Sequence, residues 1–297
     1  MYKQLKQYLK KYPLVIKIYH NMRHFYKYEF KDIRDSYLSK ASKMQMTPYG
    51  FKLMGSNSIH HQSMQEGTFE PEEVALFKEQ FFLSDIFVDV GSNIGFYACL
   101  ARSVGRHVVA VEPLHKNLEY LFTNLLANDW KDVEVFPVGL SESPGLATLY
   151  GASSTGASLI GNWAGASALF RRTIPISTLD ILLGNRFVGK KLFIKIDVEG
   201  VEYSVLLGGE GVMQMQPKPT WVVEVCLSEF HPKGVNPHFK DLFNLFWRHG
   251  YEVRTADGNN KLIRPEDVDR WVKSGLCDSG TINYRFVPVF NKVIAGE

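Results

Sequence analysis

Five short apolar runs, each followed by a stretch of helical character, constrain this chain more than any other feature. They are Ile86–Val90, broken only by Asp89, then residues 108–111, 133–138, Leu192–Ile196 and 221–225. Short β-rich runs separated by helix-patterned segments, such as residues 94–103 and 114–128, are what parallel strands buried on both faces require. Residues 251–254 and 284–290 read as two further strands, and a helix is expected over residues 239–249, ended by Gly250. The expected fold is α/β: a doubly wound, mostly parallel, seven-stranded Rossmann-like sheet.

The 297 residues suffice for one full-sized core and an appendage. Upstream of the core, Pro48-Tyr49-Gly50 marks a turn, residues 51–54 a short strand and residues 71–80 a helix. Between the third and fourth runs lies an insertion, residues 145–176, rich in Gly, Ala and Ser. Within it residues 147–150 and 172–176 are expected to pair as a hairpin. Residues 151–165, with Ser153, Ser154, Thr155 and Ser158 between glycines, read either as a lid or as a plain connection. The expected division is a basic helical arm at residues 1–46 and a catalytic domain at 47–297, whose core spans 82–254.

Charge is unevenly distributed. The first 43 residues hold eleven Lys/Arg against Glu29, Asp32 and Asp35, a net +8, which leaves −5 for the rest of a chain whose total is +3. Tyr8, Leu9, Tyr12, Val15, Ile16 and Tyr19 give the arm apolar groups near helical spacing, with Pro13 limiting its first segment. Three readings of it stay open: a solvated helix face, an oligomerisation element, or a helix lying on an anionic membrane surface. A slightly acidic body argues against nucleic acid as partner. No apolar run reaches the ~20 residues that span a bilayer, and the charged start does not resemble a secretory signal. Cys99, Cys226 and Cys277 are scattered and lack zinc-ligand spacing, as expected of reduced thiols. A cytoplasmic protein is expected, with contact to the inner face of the membrane if the arm docks there.

The chemistry is expected where the first strand ends, because ligands of open α/β sheets bind beyond the carboxyl ends of the strands. Gly91 and Gly95 there permit close backbone approach, and the helix beginning near Ile94 directs free N–H groups at the ligand. Asp89, a charge at the end of an apolar strand, is costly unless a cationic or donor group meets it. Glu112 closes the second strand twenty-three positions later, near the offset at which an acid accepts ribose hydroxyls. Together these point to a nucleoside-bearing ligand. A nicotinamide dinucleotide calls for further glycines where Asn93 and Phe96 stand, and no G-K-[ST] follows for a P-loop.

The run from Phe87 to Tyr97 (FVDVGSNIGFY), then Val111-Glu112-Pro113, Val138-Gly139-Leu140 and Lys195 to Gly200 (KIDVEG) followed by Glu202, resembles the FkbM family of class I methyltransferases. The resemblance covers residues 47–253 and leaves the arm outside. It implies S-adenosylmethionine as methyl donor, with Asp89, Gly91, Ser92, Asn93, Gly95, Glu112, Pro113 and Gly139 around it. It also implies a sheet with one antiparallel strand near its edge, and an oxygen acceptor, often a sugar hydroxyl of a glycan or glycosylated metabolite. Ser141-Glu142 stand where the family usually has an Asp, which departs from its adenine contacts.

Methyl transfer to oxygen is an in-line displacement that needs a base for the acceptor proton. Asp197 and Glu199 follow the fourth strand, Glu224 ends the fifth, and His231 lies in the segment after it. Asp197 is expected to face the methyl-transfer centre, Glu199 or His231 to take the proton, and Glu224 to orient them. The same side chains suit Mg²⁺ chemically, but no spacing requires a metal. Capping the following helix is the plainer alternative for Asp197 and Glu199. Two other functions compete: a dinucleotide-dependent oxidoreductase acting on a nucleotide sugar, and a non-catalytic partner protein that keeps the fold.

Overall fold

The computed structural model describes residues 41–151, 156–165, 170–232 and 234–289. The helix expected in the arm, together with Ser153, Ser154 and Thr155 of the insertion, lies outside the described residues. In chain order the strands are β1 (Gln45–Met46), β2 (Lys52–Leu53), β3 (Ile86–Val90), β4 (His107–Val111), β5 (Glu134–Phe136), β6 (Gly139–Leu140) and β7 (Gly145–Tyr150). They continue as β8 (Arg171–Ser177), β9 (Leu192–Ile196), β10 (Thr220–Glu224), β11 (Tyr251–Thr255), β12 (Leu262–Ile263) and β13 (Asn283–Pro288). The helices are α1 (Ile59–Glu66), α2 (Pro71–Leu83), α3 (Phe96–Ser103), α4 (His115–Ala127), α5 (Leu179–Leu183), α6 (Glu202–Leu207), α7 (Glu210–Met213), α8 (Phe239–Arg248) and α9 (Pro265–Ser274).

The main sheet runs β12-β11-β13-β10-β9-β3-β4-β5. β3, β4, β5, β9 and β10 are parallel, while β13 is antiparallel to both β10 and β11. It holds eight strands rather than the expected seven. The extra one, β12, pairs antiparallel with β11 at the edge and has only two residues, too few to leave an alternating signature. Ala147–Tyr150 and Arg172–Ile176 do pair antiparallel, within β7 and β8, and β6 joins them to form a second, three-stranded sheet.

Alternation along the central strands explains the two-sided core. Ile86, Val88, Val90, Ile194, Ile196, Trp221 and Val223 pack on one face with α5, α6 and α8. Phe87, Phe193 and Val222 pack on the other with Phe77 and Phe81 of α2 and the apolar side of α3. The same parity places Asp89, Lys195, Asp197 and Glu224 on the second face. Asp89 is the register partner of Lys195, and Lys195 of Val222.

Strand order reverses between β3, which leads on to β4 and β5, and β9, which leads on to β10. The carboxyl ends of β3 and β9 therefore open on a crevice at the switch point. Upstream, Ala41 bridges Ser56, and the buried Asn124 of α4 ties Met54 to the chain leaving the glycine loop. Its Nδ2 donates to the carbonyls of Met54 and Ile94, both at 2.9 Å, and its Oδ1 accepts from Met54 N–H at 2.7 Å.

Candidate functional site

The loop after β3 is held by its own backbone. Gly91 and Ser92 N–H both donate to the Val111 carbonyl, at 2.9 and 3.0 Å. The Ser92 hydroxyl donates to the Asp89 carbonyl at 2.7 Å and accepts from Val111 N–H at 3.1 Å. Asn93 has φ +50°, a left-handed conformation its short polar side chain tolerates. Gly91 has φ +83°, and a Cβ there would run into the Asp197 carbonyl, so only glycine lets the exits of β3 and β9 lie this close. α3 starts at Phe96 rather than Ile94, because Gly95 caps it in the left-handed region.

Glu112 staples this loop. Its two carboxylate oxygens accept from Asn93 N–H and Leu114 N–H, each at 2.8 Å, and burial pushes its pKa up to about 7. Asp89 is buried with no well-formed hydrogen bond to either carboxylate oxygen, and desolvation, only partly offset by Lys195 and by weak contacts with Ser92 and Ala98, raises it to about 6. Its nearest compensation is the Lys195 ammonium across the β3–β9 pairing. Burial alone lowers the pKa of that ammonium, but the charges of Asp197 and Asp89 hold it above its ordinary value. Lys195 donates to Asp197 at 2.9 Å and lies 5.5 Å over the Tyr97 ring. Tyr97 in turn donates to Glu70 at 2.7 Å, whose pKa burial raises to about 7.

After β9 the chain turns sharply. Asp197 N–H donates to the Val90 carbonyl at 3.0 Å, and Glu199 takes φ +58°, strained for a residue with a side chain. The insertion crosses over this turn. Trp163 Nε1 donates to the Glu199 carboxylate at 2.7 Å, and the Ser158 hydroxyl donates to the Glu199 carbonyl at 2.6 Å. Burial, reinforced by the Asp197 charge, pushes Glu199 up to about 7. Glu202 is likewise raised to about 7 by burial and accepts from Gly200 N–H at 2.8 Å. Glu224 is driven well above its ordinary value by burial and then by the charges of Asp197 and Glu199. Four acids thus share a poorly solvated end of the sheet with one lysine, an environment that favours a cationic ligand and, at Glu199 and Glu202, carboxyls poised near neutrality.

One cavity joins these parts. Among the expected cofactor residues it is lined by Gly91, Asn93, Glu112, Pro113 and Gly139, and among the expected catalytic ones by Asp197 and Glu199. Asp89, Ser92 and Gly95 stand behind the loop rather than in the wall. Glu224 and His231 are also outside the wall. Continuing the register by one pair sets Glu224 beside Asp197, and the His231 ring meets Trp163 edge-on at 5.9 Å. Ser141 and Glu142 do not line the cavity, whose wall at that end comes from Val138, Gly139 and Leu140. Among the described residues no group of three or more His, Cys, Asp or Glu side chains is arranged to hold a metal ion, and no helix is long and apolar enough to cross a membrane.

Sequence reasoning gave no role to Trp163, Lys195, Asn117 or the apolar wall of Val138, Leu149 and Ile174, although Val138 and Lys195 stand in the motifs that carry the resemblance. A lone tryptophan among small residues was the available signal for the first, and a lysine inside an apolar strand for the second.

A family model described as the methyltransferase FkbM domain matches residues 89–253. The hexuronic acid methyltransferase AglP of Haloferax volcanii is 30% identical over 202 residues, which cover 67% of this chain and 74% of that protein. Among solved structures, a precorrin-6y C5,15-methyltransferase from Geobacter metallireducens is 12% identical, covering 63% of this chain and 74% of its own, with a TM-score of 0.37. The methyltransferase domain of the bacterial CtHen1-CN is also 12% identical, covering 76% and 96%, with a TM-score of 0.37. The matched model takes in both the glycine loop and the acidic turn after β9, and spans more than half the sequence: the chain belongs to the FkbM family and is an S-adenosylmethionine-dependent methyltransferase.

Proposed function

We propose that the protein methylates a hydroxyl of a sugar, with a hexuronic acid or a glycan containing one as the first candidate acceptor. The observation that carries this reading is that Asp197 and Glu199 line the same cavity as Gly91, Asn93 and Glu112, so that a base and a nucleoside cradle face each other. The family relationship to a hexuronic acid methyltransferase supplies the acceptor class.

The residues present fit S-adenosylmethionine. Asp89 keeps a buried negative charge directly behind the loop, which favours an ammonium in the cavity; Glu112 stands in the wall with lone pairs left for ribose hydroxyls; and the backbones of Gly91 and Gly139 form part of that wall. When bound, the cofactor supplies an electrophilic methyl group on a sulfonium. The chain's task is to hold the acceptor oxygen in line and remove its proton. In this reading Asp197 faces the transfer centre, held by Lys195. Glu199 accepts the hydroxyl proton and becomes a neutral acid, for which a pKa near 7 is well placed. Glu224 and His231 orient that pair from behind. A carboxylate of this basicity does the work a metal would otherwise do, so turnover is expected to persist in EDTA.

In the same reading the chain divides into a basic arm at residues 1–46, whose last residues join the domain through the Ala41–Ser56 bridge and the β1–β2 pair, and a catalytic domain at 47–297. The arm's net positive charge suits an anionic membrane surface that brings the enzyme to a lipid-linked glycan, and sedimentation with anionic liposomes at low salt checks this.

The deciding experiment is transfer of tritiated methyl from S-adenosylmethionine to nucleotide sugars, lipid-linked glycans and capsule or O-antigen fragments. Label is expected in a uronic acid-bearing acceptor. Intact S-adenosylhomocysteine binding with no label in any glycan would remove the sugar acceptor.

A further inference from the structure

Trp163 sits in a segment of Gly, Ala, Ser and Asn, yet its side chain is only 1% exposed. Two separate parts of the chain close on its indole. From the turn after β9 comes Gly200, where any Cβ would run into the six-membered ring. From the segment after β10 come the rings of Phe230 at 6.3 Å and His231 at 5.9 Å, while Ala164 N–H donates to the Phe230 carbonyl at 2.9 Å. From within the indole itself, Nε1 reaches the Glu199 carboxylate at 2.7 Å, the length of a charge-assisted bond. A buried indole N–H needs an acceptor, and here that acceptor is a residue of the candidate catalytic pair.

We propose that Trp163 is a positioning residue: its indole N–H fixes the Glu199 carboxylate in place at the cavity, so that the insertion between β7 and β8 is a working part of the active site. The proposal deepens the reading of Glu199 as base and rests on it. Glu199 needs such support, because its backbone is held at φ +58° and the one cation acting on its carboxylate, Lys195, spends its hydrogen bond on Asp197. Ser158, from the same insertion, secures the Glu199 carbonyl at 2.6 Å, so carboxylate and backbone are both gripped from one side.

A structural plug and a positioning group differ in what the N–H does. A plug fills the space beside Gly200 and is indifferent to loss of the donor; a positioning group favours the charged form of Glu199 over the neutral one. The other groups acting on Glu199 are Asp197 on its own turn, Lys195 on β9, Glu202 at the start of α6, Glu224 on β10 and Gly156 N–H from the insertion, with His231 beyond the indole. Trp163→Phe alters none of these, and phenylalanine keeps an aromatic ring in the slot. Because the lost hydrogen bond favoured the carboxylate, its removal raises the Glu199 pKa. A base active as the carboxylate then loses turnover at the acidic end. The acid limb of the rate profile should move upward by about 1 pH unit, with the plateau little changed.

Two measurements test this, using the full chain. In wild-type protein labelled with ¹⁵N at its indoles, the Trp163 Nε1–H resonance, identified by its loss in Trp163→Phe or Trp163→Leu, should move with pH around neutrality. Glu199→Gln should abolish that movement. An indole resonance that ignores pH in the wild type would overturn the proposal without any acceptor or any variant that has to be active. In the second measurement, kcat/KM for methyl transfer to a glucuronic acid-bearing oligosaccharide is followed against pH. An acid limb shifted upward in Trp163→Phe, with S-adenosylhomocysteine affinity unchanged, supports positioning. A uniformly lowered profile with an unmoved limb reduces Trp163 to a plug. Glu199→Gln turning over like wild type would instead strike at the base assignment, and the positioning role would go with it.

Discussion

The Lys195 ammonium donates to the Asp197 carboxylate at 2.9 Å from two residues upstream, so the alternation of β9, carried one residue past its end, sets cation and anion side by side. The ammonium also faces Asp89 on β3, which makes one lysine the counter-charge of two acids, one on β3 and one just past β9. Methionine at 195 would fill a similar volume and leave both carboxylates uncompensated. Lys195→Met is expected to lose roughly 2–3 kcal/mol at pH 8 by urea unfolding, a value set below that of a fully buried pair because Asp197 is partly solvated. The deficit should shrink at pH 5, where Asp89 is protonated. An equal deficit at both pH values would mean that packing rather than charge is lost.

The same acids set the pH dependence of the cofactor-free protein. Asp89 is raised to about 6, and Glu112, Glu199 and Glu202 to about 7, all by burial. Each binds its proton more tightly folded than unfolded. Stability from these groups is therefore greatest below the ordinary carboxylate range and falls as pH rises toward 7. Carboxylates with lowered pKa, such as Asp132 beside Arg102 and Glu134 beside Arg186, act in the opposite sense below the ordinary range, and His61, which burial lowers to about 4, does so between about pH 4 and 6.5, one group against these four acids. Thermal melts of the cofactor-free protein should show a higher Tm near pH 5 than near pH 8. A Tm that rises across that interval would contradict the buried-acid account.

Much of this site was legible before the fold was known, for a definite reason. β3 and β9 are buried on both faces, so an Asp or a DVEG turn at their ends stands out against apolar neighbours. Parallel topology then brings those ends together without further information. What stayed hidden came from elements with no such contrast. β12 has only two residues. α9 buries little beyond Val268 and Trp271, so its start and stop signals, Pro265 with Asp267 and then Gly275, stood without a strong apolar stripe. The contact of Trp163 with Glu199 joins residues 36 apart through an insertion whose glycines and serines specify no path. Glu112 shows a subtler gap. Its expected partner was a ribose, yet in the fold its oxygens first staple the loop through Asn93 and Leu114 N–H.

Gly91 tests the closeness of β3 and β9. Alanine there must take φ +83° and place its Cβ against the Asp197 carbonyl, two faults at one position. Gly91→Ala is expected to cost about 2 kcal/mol or more and to remove the thermal shift produced by S-adenosylhomocysteine. Gly105→Ala is the control, since its φ of +80° carries a similar backbone penalty while nothing lies within 4 Å of its Cβ. Equal effects from the two would mean that backbone strain accounts for everything and that the contact with Asp197 is immaterial.

Asp89 separates binding from stability most sharply. Its carboxylate is desolvated, so in the ligand-free protein its ionisation opposes folding progressively from the ordinary carboxylate range up to its raised value of about 6. Asparagine is nearly isosteric and carries no charge to desolvate. Above pH 7, Asp89→Asn should therefore unfold at a higher temperature than wild type without ligand, and the difference should narrow as pH falls through 6 and vanish only below the ordinary carboxylate range, where Asp89 is protonated in the folded and the unfolded chain alike. If the carboxylate meets the ammonium of the cofactor, the same substitution should weaken S-adenosylhomocysteine binding about tenfold or more, as loss of one charge-assisted contact does. A stabilised variant with weakened binding is the signature of a charge kept for its ligand. A variant that binds normally would release Asp89 from the cofactor, and one that is destabilised above pH 7 would show that its attraction to Lys195 outweighs the cost of burial.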